Sequence, residues 1–94
     1  MDKESLVQNH FIFKGYVQGV GFRFTSVRIA QRYGLVGWVR NNPDETVEVV
    51  AEGRKDVLGS FLNELKDAFT RYIQDYTREE LPATGDFSEF KISY

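Results

Sequence analysis

GYVQGVGFRF, residues 15–24, sets three glycines, one amide and one arginine into ten positions, and its reading decides the fold. Before it, LVQNHFIFK (residues 6–14) has the β-branched and aromatic content of a strand and stops at Gly15. After it, Ser26, Ile29, Ala30 and Tyr33 share one side of a helix expected over Phe22 to Tyr33, and Gly34 stands where such a helix stops. The glycine stretch is therefore a strand-to-helix loop. Glycine lets backbone N–H groups approach a ligand closely, and a helix start carries partial positive charge, so such a loop suits a phosphate.

Further along, Leu35 to Asn41 alternates as a second strand. Val36, Trp38 and Arg40 fall on one side, Leu35, Gly37, Val39 and Asn41 on the other. NNPDE (residues 41–45) supplies turn residues, and Thr46 to Glu52 returns as a third strand, with Val47, Val49 and Ala51 set against Glu48, Val50 and Glu52. Val57, Leu58, Phe61, Leu62, Leu65 and Phe69 give a second amphipathic helix from Arg54 to about Phe69. Tyr72, Ile73 and Tyr76 suggest a fourth strand, LPATGD (residues 81–86) a loop, and Phe90, Ile92 and Tyr94 a short final strand. The order β-α-β-β-α-β plus a C-terminal strand predicts an α+β, ferredoxin-like sandwich: an antiparallel sheet with two helices on one face.

Composition narrows what such a fold can do. A chain of 94 residues fits one domain, 1–94, so any site must be built on a single small core. Eight phenylalanines, five tyrosines and one tryptophan supply enough apolar surface to fold without disulfides or a metal. With no cysteine, disulfides, thiolate nucleophiles and the common zinc sites are removed together, and a cytoplasmic location follows as the natural expectation. A net charge of −2 gives no general attraction to nucleic acid or to an anionic membrane. The polar start, Met1-Asp2-Lys3-Glu4-Ser5, lacks the apolar segment of a signal peptide, and no stretch approaches the length of a membrane span.

The glycine spacing fails both common nucleotide patterns. No Lys-Ser/Thr follows the last glycine, as a P-loop requires, and the third glycine of a dinucleotide fingerprint would fall at Phe24. What remains is a row of amides over Gln18, Gly19, Val20, Gly21 and Phe22 curling toward one anion, with Arg23 able to fork two of its oxygens. That suits a single terminal phosphoryl group. The same residues are also compatible with a plain bend in which Arg23 points into water.

GYVQGVGFRF followed by GLVGWVRNNPDETVEVVAEG (residues 34–53) resembles the acylphosphatase family, whose pattern joins a G-x-V-Q-G-V-G-F-R loop to a G-W-V-x-N strand end and a V-E-x-x-x-x-G return strand. The resemblance is strongest from Gly15 to Gly53 and extends through the second helix and FSEFKISY (residues 87–94). It implies hydrolysis of a small-molecule acyl phosphate to carboxylate and orthophosphate. The arginine that binds phosphate in the family matches Arg23, and the asparagine that orients the attacking water matches Asn41. Where the family usually places glycine in the hairpin turn this chain has Glu45. A left-handed position is then expected at Asn42 or Asp44, or in a different turn type. AFTRYIQDY (residues 68–76) also lacks the Gly-Pro that commonly parts the second helix from the fourth strand.

Such chemistry suits a chain poor in nucleophiles. The leaving group of an acyl phosphate is a weakly basic carboxylate, so positioning and charge stabilisation suffice without a strong general acid, a cofactor or a metal. Asn41 offers one acceptor and two donors with which to hold a water. Single His10 reads as a surface or packing residue, and Glu48 and Glu52 as the solvated side of a strand rather than a magnesium set with Asp44 and Glu45. Arg28 and Arg32 read as the wet face of the first helix, and Thr25 or Ser26 as a support for the loop. The expectation is thus a monomeric, metal-independent hydrolase. Its alternatives are a non-catalytic phosphate or carbamoyl-phosphate sensing module and, less favoured, an RNA-binding module. The latter shares the element order, but its aromatic motif belongs on the third strand, and TVEVVAE (residues 46–52) has no aromatic residue.

Overall fold

The computed structural model describes residues 6–94, so the polar start of the chain lies outside the described residues. Seven elements follow in order: β1 (Leu6–Gly15), α1 (Phe22–Arg32), β2 (Val36–Asn41), β3 (Val47–Arg54), α2 (Lys55–Ala68), β4 (Ile73–Pro82) and β5 (Phe90–Ile92). They form one five-stranded sheet in the order β4-β1-β3-β2-β5. Strand alternation builds the core. Phe11 and Phe13 of β1, Val39 of β2 and Val47, Val49 and Ala51 of β3 are wholly buried on the face that meets the helices. Against them lie Phe22, Ile29 and Ala30 of α1 and Leu58, Phe61, Leu62 and Leu65 of α2. The Phe22 ring, 5.0 Å from that of Phe13 and 4.8 Å from that of Phe69, ties the first turn of α1 to the sheet and so fixes where the glycine loop ends.

The expected sandwich is present, with corrections at its edges. The sheet is mixed rather than wholly antiparallel, because β5 runs parallel to β2, pairing Gly37 with Phe90 and Val39 with Ile92. The α1 helix stops at Arg32, with Tyr33 capping it and Gly34 left-handed at φ 71°. Strand β4 continues through Leu81 and Pro82, expected to be loop, because they complete the ladder opposite Gln8 and Val7 of β1. Pro82 is tolerated there because it ends an edge strand.

The hairpin turn departs from expectation for a clear reason. Glu45 itself is left-handed, at φ 75°, and not Asn42 or Asp44. Asn42, Pro43, Asp44 and Glu45 form a turn closed by the Glu45 N–H donating to Asn42 O at 3.1 Å, with Pro43 at the position that its fixed φ favours. The residue after such a turn must go left-handed to restore the ladder, here through Asn42 N–H donating to Thr46 O at 2.9 Å. Asp44 accepts from the Thr46 backbone N–H and hydroxyl instead. Those bonds, the hydroxyl's foremost, hold the Asp44 carboxyl below the ordinary range.

Glu52 is the second correction. It is 4% exposed, not solvated, because the segment after β4 folds over the sheet face turned away from the helices. Its carboxylate accepts from Gln8 Nε2 at 2.7 Å, from the Thr84 N–H at 2.9 Å and hydroxyl at 2.8 Å, and from the Gly85 N–H at 3.1 Å. Glu48, on the same face, is partly buried between His10 Nε2 at 2.6 Å and Arg40 Nη2 at 3.0 Å. His10 is thus a packing and pairing residue, as its place on β1 suggested.

Candidate active site

The loop that opens the site is held at both ends. Gly15 adopts φ +123°, and a Cβ there would lie 2.3 Å from Tyr72 O, so only glycine lets β1 pass the start of β4 this closely. The next N–H, of Tyr16, donates to that same carbonyl at 2.9 Å. Val17 turns inward and is buried, and Gly19 and Gly21 are both left-handed, at φ 78° and 83°. Gly21 is the N-cap of α1 and supplies no side-chain cap. Among the described residues none of the N–H groups from Val17 to Gly21 donates to protein, and those at the start of α1 have no intrahelical acceptor. The loop therefore keeps a set of uncommitted donors in a place where the backbone of any other residue would be strained.

These residues enclose a cavity of about 250 Å³, lined by Val17, Gly19, Gly21, Phe22, Arg23, Phe24 and Asn41. Arg23 and Asn41 come from different elements: Arg23 from the first turn of α1, Asn41 from the end of β2, where it pairs with Val47. Asn41 Oδ1 is buried and without a hydrogen-bond partner. A buried amide oxygen left unpaired is costly, and it is the kind of acceptor a bound water or ligand satisfies. The Arg23 guanidinium lies 5.6 Å from the centroid of the Tyr94 ring and, among the described residues, is tied to no carboxylate. Among the described residues no carboxylate lines the cavity, and the one formal charge there is positive.

Of the residues expected at the site, Arg23, Asn41, Gly19, Gly21 and Phe22 are brought together, Phe22 through its backbone because its ring is in the core. Gln18 and Val20 do not line the cavity. The Gln18 amide reaches across to the hairpin instead, donating to Asn42 O and Thr46 O, each at 2.9 Å, and so braces the loop against the turn that carries Asn41. Val20 packs against the core. Ser26 Oγ donates to Phe22 O at 2.8 Å and supports the first helical turn from below, whereas the Thr25 hydroxyl makes no hydrogen bond among the described residues. Phe24 and Tyr94 escaped the sequence reading. Phe24 is 67% exposed and off the buried side of α1, and Tyr94 reaches Arg23 only through the β5 pairing, for which no local pattern exists. Among the described residues no cluster of three or more His, Asp or Glu is placed to hold a metal ion, and no helix is long and apolar enough to cross a membrane.

The acylphosphatase family model matches residues 9–92. The chain belongs to the acylphosphatase family. It is 42% identical over 94 residues to an acylphosphatase from Treponema denticola, covering 98% of each chain. Among solved structures, that of an acylphosphatase from Bacillus subtilis superposes with a TM-score of 0.87 at 36% identity, covering 94% of this chain and 99% of the other. An acylphosphatase from Coxiella burnetii gives 0.85 at 28% identity, covering 99% and 100%. These relatives match the chain over nearly its whole length, and they favour an acylphosphatase over both the sensing and the RNA-binding alternatives.

Proposed function

We propose that this acylphosphatase hydrolyses acyl phosphates through Arg23 and Asn41, with the backbone donors of the glycine loop, those of Gly19, Gly21 and Phe22 at the cavity, cradling the phosphoryl group. The observation that carries the reading is the cavity in which the glycine loop, a guanidinium and a buried amide oxygen converge, the latter two unpaired among the described residues. Arg23 and the loop N–H groups face the charge that spreads over the equatorial oxygens during phosphoryl transfer, and they need no reorganisation to meet it. Asn41 Oδ1 accepts a hydrogen bond from the water and aims its lone pair at phosphorus. The oxygen of water bonds to phosphorus as the bond to the acyl oxygen breaks. The carboxylate leaves with its electron pair, and the proton of the water passes to solvent or to the orthophosphate formed. No residue acts as a strong acid, because the weakly basic carboxylate leaves without being protonated. Gln18 is a positioning residue, holding loop and hairpin in register.

We also propose that residues 1–94 act as a single-domain, cytoplasmic monomer without a metal or cofactor, with no nucleic acid or membrane partner. The absence of cysteine and the net charge of −2 support this reading. The test is loss of benzoyl phosphate absorbance in excess chelator, for wild type and Arg23→Ala. Hydrolysis should survive the chelator and fall at least about a hundredfold in the variant. Near-normal turnover by folded Arg23→Ala would defeat the mechanism. Binding of inorganic phosphate without any hydrolysis would favour a sensing module.

A further inference from the structure

A second groove, of about 480 Å³, opens between α1 and the edge strand β5. Its helical wall is Phe24, Val27, Arg28 and Gln31, a spacing of three and four residues that places them along one face of α1. Phe24 lines this groove and the phosphate cavity alike, so the two are adjacent and share that side chain as a wall. Direction follows from the topology. Strand β5 runs parallel to β2, which ends at Asn41, and Ser93 N–H donates to Val39 O at 2.8 Å, so Tyr94 lies at the end of the groove beside Arg23 and Glu89 at the far end. A group leaving the cavity passes Phe24 and Tyr94, then Val27 and Ile92. It meets Arg28 four residues on from Phe24, about 6 Å along the helix axis.

The wall is thus apolar first and cationic next. Arg32, one turn further, is committed to Glu64, whereas Arg28 is exposed and makes no ion pair among the described residues. Phe24, 67% exposed, is a large apolar surface left open beside the reacting group. We infer that this groove receives the acyl group of the substrate and that Arg28 binds an anionic substituent on it, so that acyl phosphates with a second carboxylate are preferred. The inference rests on the acyl phosphate hydrolase reading. The apolar lining excludes part of the water around the pair and strengthens it. Glu89 lines the far end, so a longer chain would carry its anion past Arg28 toward a like charge.

The test compares 4-carboxybenzoyl phosphate with 4-methylbenzoyl phosphate, whose rigid rings prevent internal attack on the anhydride, in wild type, Arg28→Gln and Lys91→Gln. Among the described residues Lys91 is the other cation of the groove, and it stands on β5, paired with Trp38, rather than on α1. Wild type should favour the carboxylated substrate in kcat/KM by about threefold to tenfold, chiefly through KM. In Arg28→Gln the ratio should drop by that same factor while the methyl substrate is turned over as before, and Lys91→Gln should keep the wild-type ratio. An unchanged ratio in Arg28→Gln, or one moved only by Lys91→Gln, overturns the inference while leaving the hydrolase reading intact. Failure of the wild-type protein to hydrolyse either substrate overturns both.

Discussion

Arg23 and Asn41 reach the same cavity by different routes, and this decides how visible each is in the sequence. Arg23 follows the glycines directly, so the local chemistry of a loop and a helix start already gives it a reason to be there. Asn41 is one of two adjacent asparagines before a proline, with nothing local to separate a site residue from a turn residue; only the resemblance singled it out. Its oxygen becomes a buried atom, unpaired among the described residues, only in the folded chain. The turn beyond it carries a cost of its own. Glu45 at φ 75° is a side-chain-bearing residue in a conformation that glycine occupies freely. Glu45→Gly should therefore stabilise the protein by about 0.5–1 kcal/mol, a rise of about 2–8 °C in Tm. A fall in Tm by thermal denaturation would mean that the Glu45 side chain contributes more than its backbone costs.

Among the elements, β1, α2 and the β2–β3 hairpin were legible because each writes its own period: Phe11 and Phe13 two apart, Leu58, Phe61, Leu62 and Leu65 at helical spacing. Strand β5 was not legible in direction, because three residues after a long connection carry no signal for which neighbour they join. Nor was the burial of Glu52, which depends on Thr84 and Gly85 folding over the sheet. That contact has a pH signature. Burial alone would raise the Glu52 carboxyl, but the hydrogen bonds from Thr84, Gln8 and Gly85 outweigh it and hold the group below its ordinary range. A depressed folded value means stability that is fully present above the unfolded value, about 4.3, and lost as pH falls through the folded one. Glu52→Gln should cost about 2 kcal/mol at pH 7, because its amide presents donors to donors. The gap from wild type should close as the pH is lowered below about 4. Urea unfolding at both pH values checks this; a gap that stays constant would show that ionisation of Glu52 is not what holds the loop.

At the scale of the whole molecule, the loop, the hairpin and the C-terminus meet at one end of a sheet whose core lies elsewhere, so binding at that end should be felt by the entire fold. Uncommitted loop donors and an unpaired Arg23 are a poorly satisfied arrangement until an anion arrives. A ligand that binds only the folded state stabilises it by mass action, by about 1.4 kcal/mol at ten times its dissociation constant. For a domain of this size that is a rise of about 6–11 °C in Tm. Inorganic phosphate should produce this rise in wild type, and sodium chloride at matched ionic strength should not. Arg23→Ala should lose the rise, because among the described residues the guanidinium supplies the one formal positive charge lining the cavity. Asn41→Ala should keep it while kcat on benzoyl phosphate drops about a hundredfold, because a water out of line costs the reaction and not the binding. Loss of the phosphate shift in Asn41→Ala as well would make Asn41 part of the anion cradle, and the water would then need another holder.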